Sequence, residues 1–334
     1  MMSFLDPRII AFHRVTFPLA CLLLVAAIVN RSDAQQRSEQ SKLETNRPAL
    51  QQQIEERLAA LHAQENAHAS NREVGYLWSR LGDDYSRAGE FGNAESAFNR
   101  AVESFSMDPG NRDLYAEALD ELGALYRIYG RIPEALNCRR KALALREKLG
   151  DPLQLALSQS HLAELTLISK KYKDAFTGAD RAYRQMSGME NAGKGDLLSA
   201  LLVRTYAKCR LRRRAECLSD AQQALTLSRS AFAQDSIPVG AALMALSSAQ
   251  LDNGMTLEAE DSARSAWGML NRGLASDDPR VIFAMSQDRD CLLALHRKEE
   301  AQRIDAQVSA INRLPGQPCV SCTVSVYGLR AADH

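Results

Sequence analysis

Cysteines, histidines and carboxylates at fixed spacing are where chemistry would show in this chain, and the tightest such pair is Cys319-Val320-Ser321-Cys322. A C-x-x-C pair does redox work when one thiolate is lowered in pKa, as at a helix start in a βαβ setting. Here Pro315 and Pro318 precede the pair, and Cys319 to Tyr327 alternates apolar and polar residues, the pattern of a short extended segment. Thr323 stands where haem attachment needs a histidine, and no second pair completes a zinc site. Cys319 and Cys322 are therefore read as a candidate disulfide, with thiol–disulfide exchange as the alternative. The histidines at 13, 62, 68, 161, 296 and 334 are scattered, and no H-E-x-x-H, G-x-S-x-G, phosphate loop or dinucleotide fingerprint occurs. Asp83 and Asp84, adjacent on one helix, point to different faces and make a poor acid/base pair. The expectation is a non-enzymatic chain with no catalytic residue, no metal and no cofactor.

Bulk composition favours no partner recruited by charge alone. The 334 residues carry 41 basic and 41 acidic side chains, so no global field recruits nucleic acid or an anionic membrane. At 46% apolar the chain is ordinary globular material.

What must then position side chains is a repeated helical pair. Trp78, Leu81, Gly82 and Tyr85 give a first helix one apolar stripe, Gly89 marks a turn, and Ala94, Phe98 and Ala101 face back from a second helix. Leu119, Leu122, Gly123, Tyr126, Gly130, Ala135 and Ala142 repeat the pattern, with Arg139 in place of Phe98. Further copies are read at Leu162, Ala163, Ala175 and Ala182; at Leu202, Tyr206 and Ala215; at Leu243, Leu246, Gly254 and Ala259; and at Leu292 and Ala301. The alanine that opens each second helix recurs as Ala94, Ala135, Ala175, Ala215, Ala259 and Ala301, at intervals of 41, 40, 40, 44 and 42. Asp108-Pro109, Asp151-Pro152, Ile237-Pro238 and Asp278-Pro279 punctuate the copies, because proline pushes its predecessor out of the helical region and is welcome in a first turn.

These residues resemble the tetratricopeptide repeat, W-x2-L-G-x2-Y followed by A-x3-F. The period exceeds the usual repeat of about 34 residues, so the chain is similar to the long-helix branch found in kinesin light chain and MalT-like regulators. The resemblance implies an all-α fold, a right-handed superhelical α-α solenoid of six hairpins over residues 73–314. An irregular helical bundle with two decayed repeats at its front is the competing architecture.

Upstream, Arg8 and Arg14 precede an apolar run from Val15 to Val29, and Ser32 and Ala34 are small residues placed for cleavage before Gln35. The run is shorter than the roughly 20 residues a span needs. Residues 1–34 read as a signal peptide, with an uncleaved anchor as the alternative, which makes the chain secreted or periplasmic, or held at a membrane by that segment alone. Residues 35–47 read as a flexible leader and 48–72 as a capping helix with Leu50, Ile54, Leu58 and Leu61 on one stripe. Residues 315–334 form the tail. Six cysteines would remain after cleavage, and the local pairs are Cys319 with Cys322 and Cys209 with Cys217.

The resemblance also implies that each first helix lines a concave groove. Carried over residue by residue, the groove positions are Tyr76, Asp83 and Arg87; Glu117, Asp120 and Arg127; Glu164; and Arg204 and Lys208. The expected partner is an extended segment of another protein, bound by an exported scaffold in an adaptor or assembly role. A ligand-sensing regulator is a further alternative. Lys208 to Arg214 is the one dense basic run, read as a solvated turn against a phosphate or lipid headgroup site.

Overall fold

The structure, a computed structural model, describes residues 48–311. The expected signal segment, the leader and the tail with Cys319 and Cys322 lie outside the described residues. Contacts divide the chain at Gln52: up to that point the described part is the opening turn of α1 (48–66), and from Gln53 onward the chain is one repeat unit. Within it six hairpins follow: α2 (Asn71–Arg87) with α3 (Phe91–Ser106), α4 (Arg112–Ile128) with α5 (Ile132–Leu149), and α6 (Pro152–Ile168) with α7 (Tyr172–Ser187). The others are α8 (Lys194–Arg210) with α9 (Arg214–Ala231), α10 (Ile237–Asp252) with α11 (Thr256–Gly273), and α12 (Pro279–Ala294) with α13 (Lys298–Ile311). No strand occurs among the described residues. The fold is an all-α helical repeat solenoid.

The capping stretch ends earlier than expected. α1 stops at 66, His68 turns the chain at φ 54, and Ser70 opens α2 with a capping box, its hydroxyl accepting from the Glu73 amide while the Glu73 carboxylate accepts from the Ser70 amide. Ile54 and Leu61 are buried, and Arg57 pairs with the buried Asp84 of α2 at 2.7 Å.

One turn is used six times. Gly89, Gly130, Lys170, Arg212, Gly254 and His296 are each left-handed, with φ between 60 and 77. In each case the next amide reaches back across the turn, as from Glu90 to the Tyr85 carbonyl at 2.8 Å and from Arg297 to the Leu292 carbonyl at 2.9 Å. The left-handed residue's own amide bonds the carbonyl three before it, as from Gly89 to Ser86 at 3.1 Å. This is the Schellman stop, which satisfies the orphan carbonyls at a helix end.

That turn supplies a ruler independent of composition. Five residues after each left-handed residue stand Ala94, Ala135, Ala175, Cys217, Ala259 and Ala301, all fully buried. The intervals become 41, 40, 42, 42 and 42. The fourth copy was therefore read two residues too early: Ala215 is exposed, and Cys217 holds the buried place. Eight residues before the turn residue stand Leu81, Leu122, Leu162, Arg204, Leu246 and Asp288, so Arg204 occupies a leucine's place, and Lys208 stands where Tyr85 and Tyr126 do. Cys217 joins Cys209 in a disulfide, with Cα atoms 5.2 Å apart.

The two halves of the solenoid differ in how their first helices meet. α8 presents Ala200, Val203 and Ala207, and α10 presents Ala241, Ala242, Ala245 and Ala249, all buried. Such small faces let α6, α8, α10 and α12 pack directly on one another in sequence. α4 instead carries Asp113, Glu117 and Glu121 at four-residue spacing, and clefts open on both sides of it, toward α2 and toward α6. Long ionisable side chains hold these helices apart.

Candidate partner-binding face

The clefts beside α4 are the candidate site. One, of about 790 Å³, runs between α4, α5 and α6, and includes Asp113, Glu117, Asp120, Glu121, Gln154 and His161. The other, of about 260 Å³, lies between α2 and α4 and includes Tyr76, Ser79, Asp83, Glu117 and Glu121. Glu117 and Glu121 line both, so the two clefts adjoin along one acidic ridge.

Acids outnumber bases along the ridge, with Arg80 the one cation lining the smaller cleft. Ser79 donates to Glu121 across the α2–α4 gap, yet burial, with Asp83 and Glu117 nearby, pushes the Glu121 carboxyl up to about 7. Asp83 is raised in the same direction by burial, against the pull of Arg87 and Arg80. Among the described residues Asp83, Asp113, Glu117 and Glu121 form no salt bridge. Tyr76 is 44% exposed at the rim and rests edge-on against Phe105, ring centroids 5.7 Å apart.

Beneath the larger cleft lies a floor of matched charge. Asp120 pairs with Arg139 at 2.7 Å and accepts from Arg146, and Arg146 also donates to Ser158. Arg139 donates to Nδ1 of His161 at 2.6 Å, and since a guanidinium cannot accept, that nitrogen carries the lone pair. Arg127 is buried with Glu164, 3.9 Å away, and burial lowers its pKa.

Of the residues expected to read a partner, the structure brings Tyr76, Asp83 and Glu117 together at the clefts, and Arg87 is exposed in the last turn of α2. Five of the expected residues have partners inside the scaffold. Asp120, Arg127, Glu164, Arg204 and Lys208 are buried and bound within the scaffold. Arg204 makes a two-pronged contact with Asp220 of α9 at 2.8 and 3.0 Å, reaches Asp180 of α7 at 3.3 Å, and lies 4.4 Å over the Tyr183 ring. Lys208 meets Asp220 at 2.9 Å and Glu216 at 3.5 Å. The fourth-copy pair was misplaced by the two-residue slip. Arg127 was misplaced by one, since the counterpart of Arg87 is Ile128, which is exposed. Conversely Asp113 and Glu121 were not singled out, although their i, i+4, i+8 spacing with Glu117 marks one acidic helix face.

Similarity to known proteins fits this geometry. The tetratricopeptide repeat model matches residues 73–148. No curated protein sequence matches the chain. Among solved structures, aspartyl phosphate phosphatase F from Bacillus subtilis superposes with a TM-score of 0.61 at 13% identity, over 83% of this chain and 70% of that one. A signal transduction ATPase with a tetratricopeptide repeat sensor from Pyrococcus horikoshii gives 0.56 at 14% identity, over 77% of this chain and 39% of its own. A Rap protein complexed with competence and sporulation factor gives 0.52 at 12% identity, over 78% and 76%. At such identities the likeness is one of fold. Residues 73–148, which match the tetratricopeptide repeat model, contain the first two hairpins, and the four that follow repeat the same turn and the same buried small residue at a period of 40 to 42 residues.

Proposed function

We propose that this chain is a non-catalytic protein-binding scaffold whose clefts beside α4 receive an extended, basic segment of another protein. The observation that carries the reading is the ridge of Asp83, Asp113, Glu117 and Glu121, without a salt bridge among the described residues, lining two adjoining clefts with Tyr76 at the rim. Lysine or arginine side chains would neutralise the ridge at little desolvation cost at its exposed end, and the extended backbone between them would follow the clefts. The similarity in fold to a Rap protein complexed with competence and sporulation factor supports this reading. The test is fluorescence anisotropy with a labelled twelve-residue lysine/alanine peptide at low salt. Asp83→Lys with Glu117→Lys should weaken binding at least tenfold while helical circular dichroism is retained; unchanged affinity refutes the reading.

We place the scaffold outside the cytoplasm, in an envelope adaptor or assembly role. The apolar run Val15 to Val29 supports this, and so does the Cys209–Cys217 disulfide, since such bonds persist in oxidising compartments. Intact mass of the natively produced protein checks both points, by cleavage before Gln35 and by the two hydrogen atoms lost when a disulfide forms.

A further inference from the structure

The turns of hairpins three and four carry charge that nothing in the scaffold uses. Lys170, Lys171, Lys173, Arg210, Arg212 and Arg214 are all exposed, and among the described residues none forms an ion pair. Equivalent turns are treated differently elsewhere. Arg131, opening α5, is held by Glu95 at 2.8 Å and Glu134 at 2.9 Å, and Arg297, opening α13, by Glu260 at 2.9 Å and Glu300 at 2.6 Å. The third and fourth turns are also fastened together, because Arg213 lies 4.6 Å over the Phe176 ring of α7. Beside them, between the second and third turns, an apolar cleft of about 630 Å³ is walled by Ile132, Pro133, Leu136 and Ile168, with Arg140 and Lys171 on its rim.

We propose that this turn edge is a second docking surface, which takes an acidic segment of a partner protein and seats one of its apolar side chains in the cleft. The unpaired cations fix the sign of the partner's charge, and the cleft fixes the need for an apolar anchor among the acids. The surface is distinct from the clefts beside α4 in place and in sign, so one chain could hold two differently charged segments at once. An anionic membrane is the poorer fit, because a bilayer is entered by several protruding apolar side chains and, of the strongly exposed large ones, Ile128 beside the second turn is the one at this edge. A recess instead admits a side chain from outside.

The probes are a fluorescein-labelled twelve-residue peptide of glutamates flanking two leucines, the same peptide with serines for the leucines, and vesicles containing phosphatidylglycerol. The leucine peptide should bind at low salt at least tenfold more tightly than the serine peptide, and Lys171→Glu with Arg210→Glu and Arg214→Glu should abolish its binding. Circular dichroism and binding of the lysine/alanine peptide should be unchanged in that variant, which separates this surface from the clefts beside α4. Equal binding of the two acidic peptides, binding unaffected by the charge reversal, or capture by vesicles without capture of the peptide would each overturn the proposal.

Discussion

Replacing His296 by glycine should stabilise the protein, and replacing Gly254 by alanine should destabilise it by a similar amount. Both residues occupy the left-handed position of the same turn, at φ 60 and 77. A Cβ added at Gly254 would meet no atom within 4 Å, so the cost of alanine there is backbone conformation alone. That conformation costs a residue with a Cβ about 1–2 kcal/mol. Glycine's greater freedom in the unfolded chain takes back roughly 0.5–1 kcal/mol. The net is about 1 kcal/mol in favour of glycine at either site. His296→Asn should fall between, since asparagine tolerates the left-handed region better than histidine. Urea unfolding followed by circular dichroism reads the change as a shift in midpoint at constant slope. Repeat arrays can unravel from an end, so hydrogen exchange of α12 and α13 amides should accompany it and show His296→Gly slowing local opening. If His296→Gly is neutral and Gly254→Ala is free of cost, the six hairpins do not share the left-handed stop and the alignment of the repeats built on it fails.

Other perturbations test other parts of the frame. Gly82→Ala would place a Cβ 2.7 Å from the Phe98 ring. It should cost about 1–3 kcal/mol, recovered in part by Phe98→Leu, whereas Gly123→Ala, whose nearest neighbours lie at 3.3 Å, should cost less in the same denaturation assay. Glu121, held near 7 against an ordinary 4.5, binds its proton more tightly folded than unfolded. Its contribution to stability is therefore complete below about pH 4.5 and lost as pH rises through 7, and Glu121→Gln should flatten the fall in melting temperature between pH 5 and 8. Asp288 is 2% exposed, lacks a hydrogen bond at one carboxylate oxygen, and is raised in pKa by burial. By the same sign Asp288→Asn should match the parent at acid pH and exceed it in stability at pH 8, read by thermal denaturation.

The sequence made the hairpins visible because a repeated packing demand leaves a repeated residue. Where two helices cross closely only a small side chain fits, and Ala94, Ala135, Ala175, Ala259 and Ala301 each record that crossing. The fourth hairpin escaped because each of its marks is replaced. Its turn residue is Arg212 instead of glycine, its buried small residue is Cys217, and Arg204 and Lys208 stand at leucine and tyrosine places, while Leu202, Tyr206 and Ala215 offered a false match two residues earlier. A signal was present: Arg131, Lys171, Arg213 and Arg297 each stand four residues before the buried small residue, a basic mark shared by hairpins two, three, four and six. Site residues were harder to read for a different reason. Whether a charge on a first helix faces a partner or a neighbour depends on the next helices along. For Arg204 those are α7 and α9, which bring Asp180 and Asp220 to it.

The fourth hairpin stands just inside the closed half of the solenoid, and its substitutions suit that place. Leucine and tyrosine at these positions would bury apolar surface and tolerate small rotations between hairpins, because dispersion contacts are not directional. A guanidinium shared between Asp180 and Asp220, with Lys208 on the same Asp220, demands one geometry among α7, α8 and α9. Such buried ion pairs are poor sources of stability, since desolvation consumes most of their attraction, but they penalise every alternative register. The disulfide from Cys209 to Cys217 fixes α8 against α9 at the same level. On one side the first helices stand apart around acidic clefts; on the other α8, α10 and α12 close on one another. Arg204 and its two acids thus tie the third hairpin to the fourth, next to the α6 wall of the larger cleft. If the proposed function holds, that tie would serve it, because recognition by charges spaced along an extended chain is lost once the spacing drifts by more than a side chain can follow.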